Sequence, residues 1–428
     1  MRDDAPLFAD VNASYRANLT LLEKMKAASL AITLDLDGVS IKSGYFFYLY
    51  MKLFRRAAEA SSSNQTQKGQ VLRKNLSKAL KKCVLPARRN GVLRIDFPVD
   101  LYEEPGGFWN KNIDVSGTSI IMAVPEVPAF IPKDHPKIGQ VFDIAALLSV
   151  KTYRWGFEIL DALDATGLEI SRWKFWPHHL VYCSRLSGFA TLFGQLFSRN
   201  SFEQVHFCRF SEVSMQGMLL AARKNRVHTV EYQHGVISKM HPAVVLMDQN
   251  AISTTPDVLK ITSSIYCNVS YGNAVVELVS ISKTSNLAEP MSLGRGVLIA
   301  MQPRFADEAV QLAKRLANDF PNIFFTLRSH PRAQPQSAEI AEIQAFDNLV
   351  FERAAHVESS VSLNGRDGHI TGSSTMGLTA AVCGIPSLFL HREGFDQAKQ
   401  LLGSESTGFT YAETYADTRS WLLSVQPK

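Results

Sequence analysis

From residue 296 onward, strand-length apolar runs and helical patterns take turns at short intervals, and few architectures accept that order. GVLIAMQP (296–303) reads as a buried strand, and ADEAVQLAKRLANDF then sets Ala309, Leu312, Leu316 and Phe320 at helical spacing. NIFFTLRSHP (322–331), NLVFER (348–353) and GHITGSS (368–374) follow as strands. A helix in TMGLTAAVCG and a strand in PSLFLH (386–391) complete the series. Strand and helix alternating in this way predict βαβ units, a parallel sheet and right-handed crossovers.

The first half is less regular. SLAITLDLDGV (29–39), TSIIMAVPEV (118–127), HHLVYCSR (178–185), QVHFCRF (204–210) and HTVEYQH (228–234) read as strands. Helices are expected in VFDIAALLSVKTYRWGFEILDAL and SMQGMLLAARKNR, and residues 86–135, rich in Pro and Gly, give no element order. A chain of 428 residues exceeds one ordinary core, so two domains are expected. ISKTSNLAEPMSLGRG (281–296) is polar and contains Pro and Gly, which makes it the linker. The expected architecture is α/β: two Rossmann-like domains with a ligand cleft between them. Residues 1–285 are expected to form one domain and residues 295–428 the other, with the final helix free to return to the first.

Charge is uneven. Residues 52–90 hold eleven Lys or Arg against one Glu, so the rest of a chain of net charge +5 carries a net −5. This basic insertion follows the aromatic run SGYFFYLYMKLF, a combination that suits an anionic membrane surface or a lipid-linked acceptor. The alternative is a solvated basic loop and helix face. Nucleic acid is not an expected partner, because the remaining surface would repel phosphate. Five scattered cysteines without a CxxC pair fit a reducing compartment rather than a disulfide framework. No signal-peptide core and no spanning apolar run are visible. The expected location is cytoplasmic, with a peripheral position at the inner face of the plasma membrane as an extension.

Two motifs close strands in the C-terminal series. RSHPR (328–332) would bring Arg328, His330 and Arg332 to a strand end, where α/β ligands bind. GSST (372–375) closes one strand and opens a helix. Gly372 lets a ligand approach the backbone, while Ser373, Ser374 and Thr375 add hydroxyls to free helix N–H groups, an arrangement suited to phosphate. Each has a plainer alternative, a helix N-cap for the serines and a structural turn for His-Pro.

QHG after a strand (Gln233, His234, Gly235), HP after a later one, SS at a helix start and AAVCGIP (380–386) together resemble the GT-B glycosyltransferases of bacterial capsule and cell-surface polysaccharide synthesis. The similarity is closest to members with an E-x-QHG signature. More distantly the chain is similar to the CDP-glycerol glycerophosphotransferases and the bacterial sialic acid and Kdo transferases. It covers residues 200–395, and the teichoic acid enzymes carry Trp where this chain has Gln233. The resemblance implies that His330, Ser373 and Ser374 hold the donor's phosphate and that His234 faces them from the other domain. It also implies a CMP- or CDP-linked sugar donor, a glycan or lipid-linked acceptor, and neither cofactor nor metal.

An acceptor hydroxyl attacking an anomeric carbon must lose its proton, and an imidazole with pKa near ~6.5 suits that step. His234 is therefore the candidate general base, with Gly235 allowing close approach; the alternative is a turn-shaping histidine. Glu231 alternates with Gln233 along one strand face and is the candidate for orienting an imidazole, while His241 is a candidate acceptor ligand. A glycerol-phosphate transferase on the same fold and a non-catalytic glycan-assembly partner are the rivals. AITLDLDGVS (31–40) adds a third, the strand-DxDG form of a phosphatase, with Asp35 as its nucleophile.

Overall fold

The computed structural model describes residues 7–36, 39–54, 90–96, 118–122, 137–138, 141–233, 237–246, 254–261, 263–267, 269–278, 296–302, 306–330, 335–354, 359–403 and 408–425. The chain divides into two compact units, which in their described parts are residues 18–278 and residues 7–17 with 296–425. The expected linker, most of the basic insertion, His234, Gly235 and Arg332 lie outside the described residues.

In the larger unit, β1 (Asp35–Leu36) and β2 (Val39–Ser40) form an isolated antiparallel pair. The strand expected over 29–39 is thus corrected: its first part ends the helix Ala9–Leu30, and only Asp35, Leu36 and Val39 of it pair. The main sheet contains β3 (Asn90–Asp96), β4 (Thr118–Met122), β5 (Lys137–Ile138), β6 (Ser201–Phe207), β7 (His228–Tyr232), β8 (Val258–Ile261) and β9 (Val275–Leu278). All are parallel, in the order β5-β4-β3-β6-β7-β8-β9. The first strand of this sheet lies inside it, with its next two on one side and the later four on the other, which is the Rossmann order.

HHLVYCSR is not a strand. It lies inside the helix Arg172–Arg199, whose buried Phe175, Tyr182, Leu186, Phe189, Phe193 and Leu196 keep helical spacing far beyond the eight residues that looked strand-like. Pro177 falls in the second turn, where the ring forfeits one bond and the other turns hold the helix. The helix expected over 141–163 is two: Ile144–Leu147, capped by the Asp143 side chain on Ala145 N at 2.9 Å, and Val150–Ala165.

The smaller unit is more regular. β10 (Val297–Ala300), β11 (Phe325–Arg328), β12 (Leu349–Glu352), β13 (Gly368–Thr371), β14 (Ser387–Phe389) and β15 (Phe409–Tyr411) form a parallel sheet in the order β12-β11-β10-β13-β14-β15. This too is the Rossmann order. Alternate residues of β10 feed different cores. Val297 and Ile299 pack with Leu312 and Leu316 of the helix Ala306–Asp319, while Leu298 and Ala300 pack with Met376 and Ala380 of the helix Thr375–Val382. A sheet covered on both faces explains why its strands read as continuous apolar runs. Each such buried Val, Leu, Ile or Met side chain contributes roughly 1.5–3 kcal/mol.

The final helix, Tyr415–Val425, packs in this unit, with Trp421 and Leu422 in the same core as Val297. The N-terminal segment joins it instead. Leu7 enters that core, Asn12 Nδ2 donates to the Tyr411 hydroxyl (3.0 Å), and Arg392 N donates to Asn12 Oδ1 (2.9 Å). Among the described residues no helix is long and apolar enough to cross a membrane.

Candidate functional site

In a Rossmann-order sheet, ligands bind beyond the carboxyl ends of the strands where the strand order reverses. In the smaller unit that point lies between β10 and β13. Gln302 follows β10 and Gly372-Ser373-Ser374-Thr375 follows β13. The Ser373 N–H donates to Gln302 Oε1 at 2.6 Å, and Gln302 Nε2 donates to the Ser373 hydroxyl at 3.3 Å. The glutamine thus fixes the first half of the turn. Ser374 caps the helix Thr375–Val382, its hydroxyl oxygen accepting from Met376 N at 3.1 Å. Its hydroxyl hydrogen stays available. Among the described residues, the N–H groups of Ser374 and Thr375 have no intramolecular acceptor, as the first turn of a helix requires. Exposure rises along the turn, from buried Gly372 through half-buried Ser373 and Ser374 to exposed Thr375. Two open N–H donors and a hydroxyl at a helix N-terminus make an anion cradle.

Sequence reading passed over Gln302, although the signal was present: it is the polar residue directly after the first strand of the series. Gly394 is a second such residue. A Cβ there would stand 2.6 Å from Ser373 Cα and press on the Gly372 carbonyl. The helix Arg392–Leu402 therefore approaches the turn as closely as only glycine allows. Gly394→Ala is expected to cost about 1–3 kcal/mol in urea unfolding, because backbone rather than a flexible tip must yield.

RSHPR is resolved into separate roles. Arg328, the last residue of β11, is buried and forms an ion pair with Glu352, its register partner on β12. The Ser362 hydroxyl donates to Glu352 Oε1 at 2.6 Å. Arg328 was expected to meet a ligand's phosphate; its guanidinium is instead committed to a buried carboxylate, since a charge so placed needs its counterion. His330 stands two residues beyond the strand, half-buried.

In the larger unit, Glu231, near the end of β7, is buried. Its Oε1 accepts from Phe210 N (3.1 Å) and its Oε2 from the Tyr271 hydroxyl (3.2 Å). Burial pushes the carboxyl up to about 8 despite the hydrogen bonds from Phe210 N, the Tyr271 hydroxyl and Arg209 N, which act the other way. It is therefore largely protonated at neutral pH, and no imidazole is among its partners in the described residues. Within the described residues this carboxyl acts as a clamp. It ties the loop after β6, where Arg209 takes a left-handed φ of 67°, to β7. Gln233 extends the ladder, its N–H donating to Lys260 O at 2.9 Å, and its side chain bonds the Tyr266 hydroxyl. His241 caps the short helix Pro242–Val245, its Nδ1 accepting from Ala243 N at 3.3 Å, and its ring lies beside Phe47.

No protein-family model matches the chain, and no curated protein matches it. Among solved structures, it is similar to the UDP-GlcNAc 2-epimerase of Methanocaldococcus jannaschii in complex with UDP-GlcNAc and UDP, at 11% identity over 79% of this chain and 93% of that one, with a TM-score of 0.39. It is also similar to the UDP-GlcNAc 2-epimerase of Neisseria meningitidis bound to UDP-GlcNAc, at 10% identity over 78% and 91%, TM-score 0.40. A third is apo UGT2 of Phytolacca americana, at 10% identity over 78% and 90%, TM-score 0.44.

Proposed function

We propose that the protein is a GT-B-type glycosyltransferase that moves a sugar from a CMP- or CDP-linked donor to a capsule or cell-surface polysaccharide acceptor. The observation that carries this reading is the cradle at the reversal point of the smaller unit, where Gln302 holds the Gly372–Thr375 turn with the N–H groups of Ser374 and Thr375 open. Such a cradle fits the phosphate of a nucleotide, whose negative charge grows as the sugar's anomeric bond to it breaks. Fixed donors that need no reorganisation stabilise that growing charge. His330, two residues past a neighbouring strand end, supplies a further donor, and Arg332 adds charge to the same motif. In the other unit, His234 would take the acceptor's proton while the acceptor oxygen bonds to the anomeric carbon. Gly235 would let the acceptor approach His234 closely.

The phosphatase reading loses support from the position of Asp35. A nucleophilic aspartate of that type needs the end of a parallel strand, whereas Asp35 opens a two-residue antiparallel pair. Among the described residues no cluster of three or more His, Cys, Asp or Glu could hold a metal ion.

Ser374→Ala and His330→Ala test the cradle. Each removes a donor to a charged phosphate, worth ~1.5–3 kcal/mol, so calorimetric titration with CMP and CDP is expected to show affinity lower by about tenfold or more. Unchanged affinity in both variants places the nucleotide elsewhere.

A further inference from the structure

The helix Val150–Ala165 and the short helix before it leave an apolar face uncovered. Ile144, Leu148, Val150, Tyr153, Phe157 and Trp173 are all exposed, Trp173 to 91% and Val150 to 83%. These are not scattered. The Tyr153 and Phe157 rings lie 5.7 and 5.1 Å from Trp176, and Trp173 stands one turn before Trp176 on its helix. The Thr152 hydroxyl donates to Ala146 O at 2.8 Å and fastens the short helix to the long one. Together the six side chains offer on the order of the ~800 Å² per partner that a standard interface uses. Three of the six, Tyr153, Phe157 and Trp173, are aromatic, the residue type enriched at interface centres.

The charges on this face choose the occupant. Along the outward side of Val150–Ala165, Arg154 precedes Phe157, while Asp161 and Asp164 follow it; Lys151 turns aside over the Trp155 ring, 4.8 Å from its centroid, and exposed Arg172 and Lys174 flank Trp173. An anionic surface would be repelled by the second half. A second copy of the same helix, running antiparallel, is not: a two-fold axis beside Phe157 sets Arg154 of each copy against Asp161 of the other. Asp164 flanks that pair, and Phe157 meets its own equivalent. Arg154 also contacts Glu158 within its own helix at 2.8 Å, but with the arginine 76% exposed this pair is weak and can be shared. Two-fold dimers with self-complementary faces are the commonest oligomers.

We infer that the face formed by Val150, Tyr153, Phe157 and Trp173 is the interface of a two-fold homodimer, pinned by reciprocal Arg154–Asp161 pairs. This does not rest on the glycosyltransferase reading, and neither fails with the other.

Analytical ultracentrifugation of the full chain tests it with two charge reversals, Arg154→Glu and Asp161→Lys, both on exposed positions. The parent is expected to sediment as a dimer. Each variant alone faces like charge twice across the axis, and its dimer dissociation constant is expected to rise at least tenfold. Mixed in equal amounts, the two variants restore both pairs and should dimerise as the parent does. Trp173→Ala should also weaken the dimer about thirtyfold or more while the variant keeps the parent's circular-dichroism spectrum. A parent that stays monomeric at every concentration overturns the inference, as does a dimer unaffected by either reversal or a mixture that fails to recover. A monomeric parent that floats with phosphatidylglycerol vesicles, and loses that binding in Trp173→Ala, assigns the face to a membrane and overturns it equally.

Discussion

Glu231→Gln is expected to abolish most of the fall in stability that the parent suffers as pH rises from about 4.5 to about 8. The folded carboxyl holds its proton up to about 8, whereas the unfolded one releases it near the ordinary 4.5. Over that window the folded state binds more protons than the unfolded state, so stability drops with rising pH by about 1.4 kcal/mol per pH unit. The drop is complete above the folded pKa and absent below the unfolded one. Several kcal/mol are at stake. Glutamine keeps the shape of the protonated acid: its oxygen can accept from Phe210 N, and its amide can donate to the Tyr271 oxygen. It does not titrate. Urea unfolding near pH 5 should therefore find the two proteins similar, and near pH 8 the variant clearly more stable. Histidines held neutral elsewhere, such as His206, add an opposite trend in both proteins and cancel in the difference. Parallel pH profiles would mean that Glu231 is ionised in the fold and that the clamp is a carboxylate.

The second large effect is on turnover. If His234 is the general base, His234→Gln should lower the transfer rate by ~10²–10⁴-fold and leave nucleotide affinity nearly unchanged, since base catalysis acts in the transition state. Glutamine can keep a hydrogen bond at the turn but takes up no proton at neutral pH. A turn-shaping histidine predicts the opposite pattern, a near-parental rate in His234→Gln, or a rate lost together with melting temperature. Steady-state transfer kinetics beside a nucleotide titration separate these outcomes.

What was legible in the sequence follows from how each unit is buried. The inner strands of the smaller unit, β10, β11, β13 and β14, are buried along their whole length, and the run Val297–Ala300 announces the first of them. In the larger unit the exposed edge strand Val275–Leu278 carries no such run, and it was not singled out. HHLVYCSR looked like a strand because a helix buried along much of its circumference also shows consecutive apolar residues. Only the full span from Phe175 to Phe197 reveals the period. The histidines mislead in a similar way. His179 bonds the Tyr45 hydroxyl at 2.7 Å and Thr152 O at 2.8 Å, and burial lowers its pKa. His369, wholly buried in β13, is pushed down to about 3. Both are core residues held neutral, and no local pattern distinguishes them from a ligand-binding histidine. The serine turn was readable because a strand, a glycine and a capping serine stand in consecutive positions. The Arg328–Glu352 pair was not, because it joins neighbouring strands 24 residues apart through a register that only the sheet defines.

The central claim is that the cradle between β10 and β13 receives a nucleotide, and a thermal-shift titration of the full chain with CMP, CDP, UDP and GDP tests it most directly. A ligand that binds only the folded state raises the melting temperature by mass action, by the equivalent of about 2.7 kcal/mol at a hundredfold excess over its dissociation constant. The expected result is a concentration-dependent rise with CMP or CDP, larger than with UDP or GDP, that shrinks in Ser374→Ala. No rise with any of the four, or a rise that Ser374→Ala leaves intact, would contradict it.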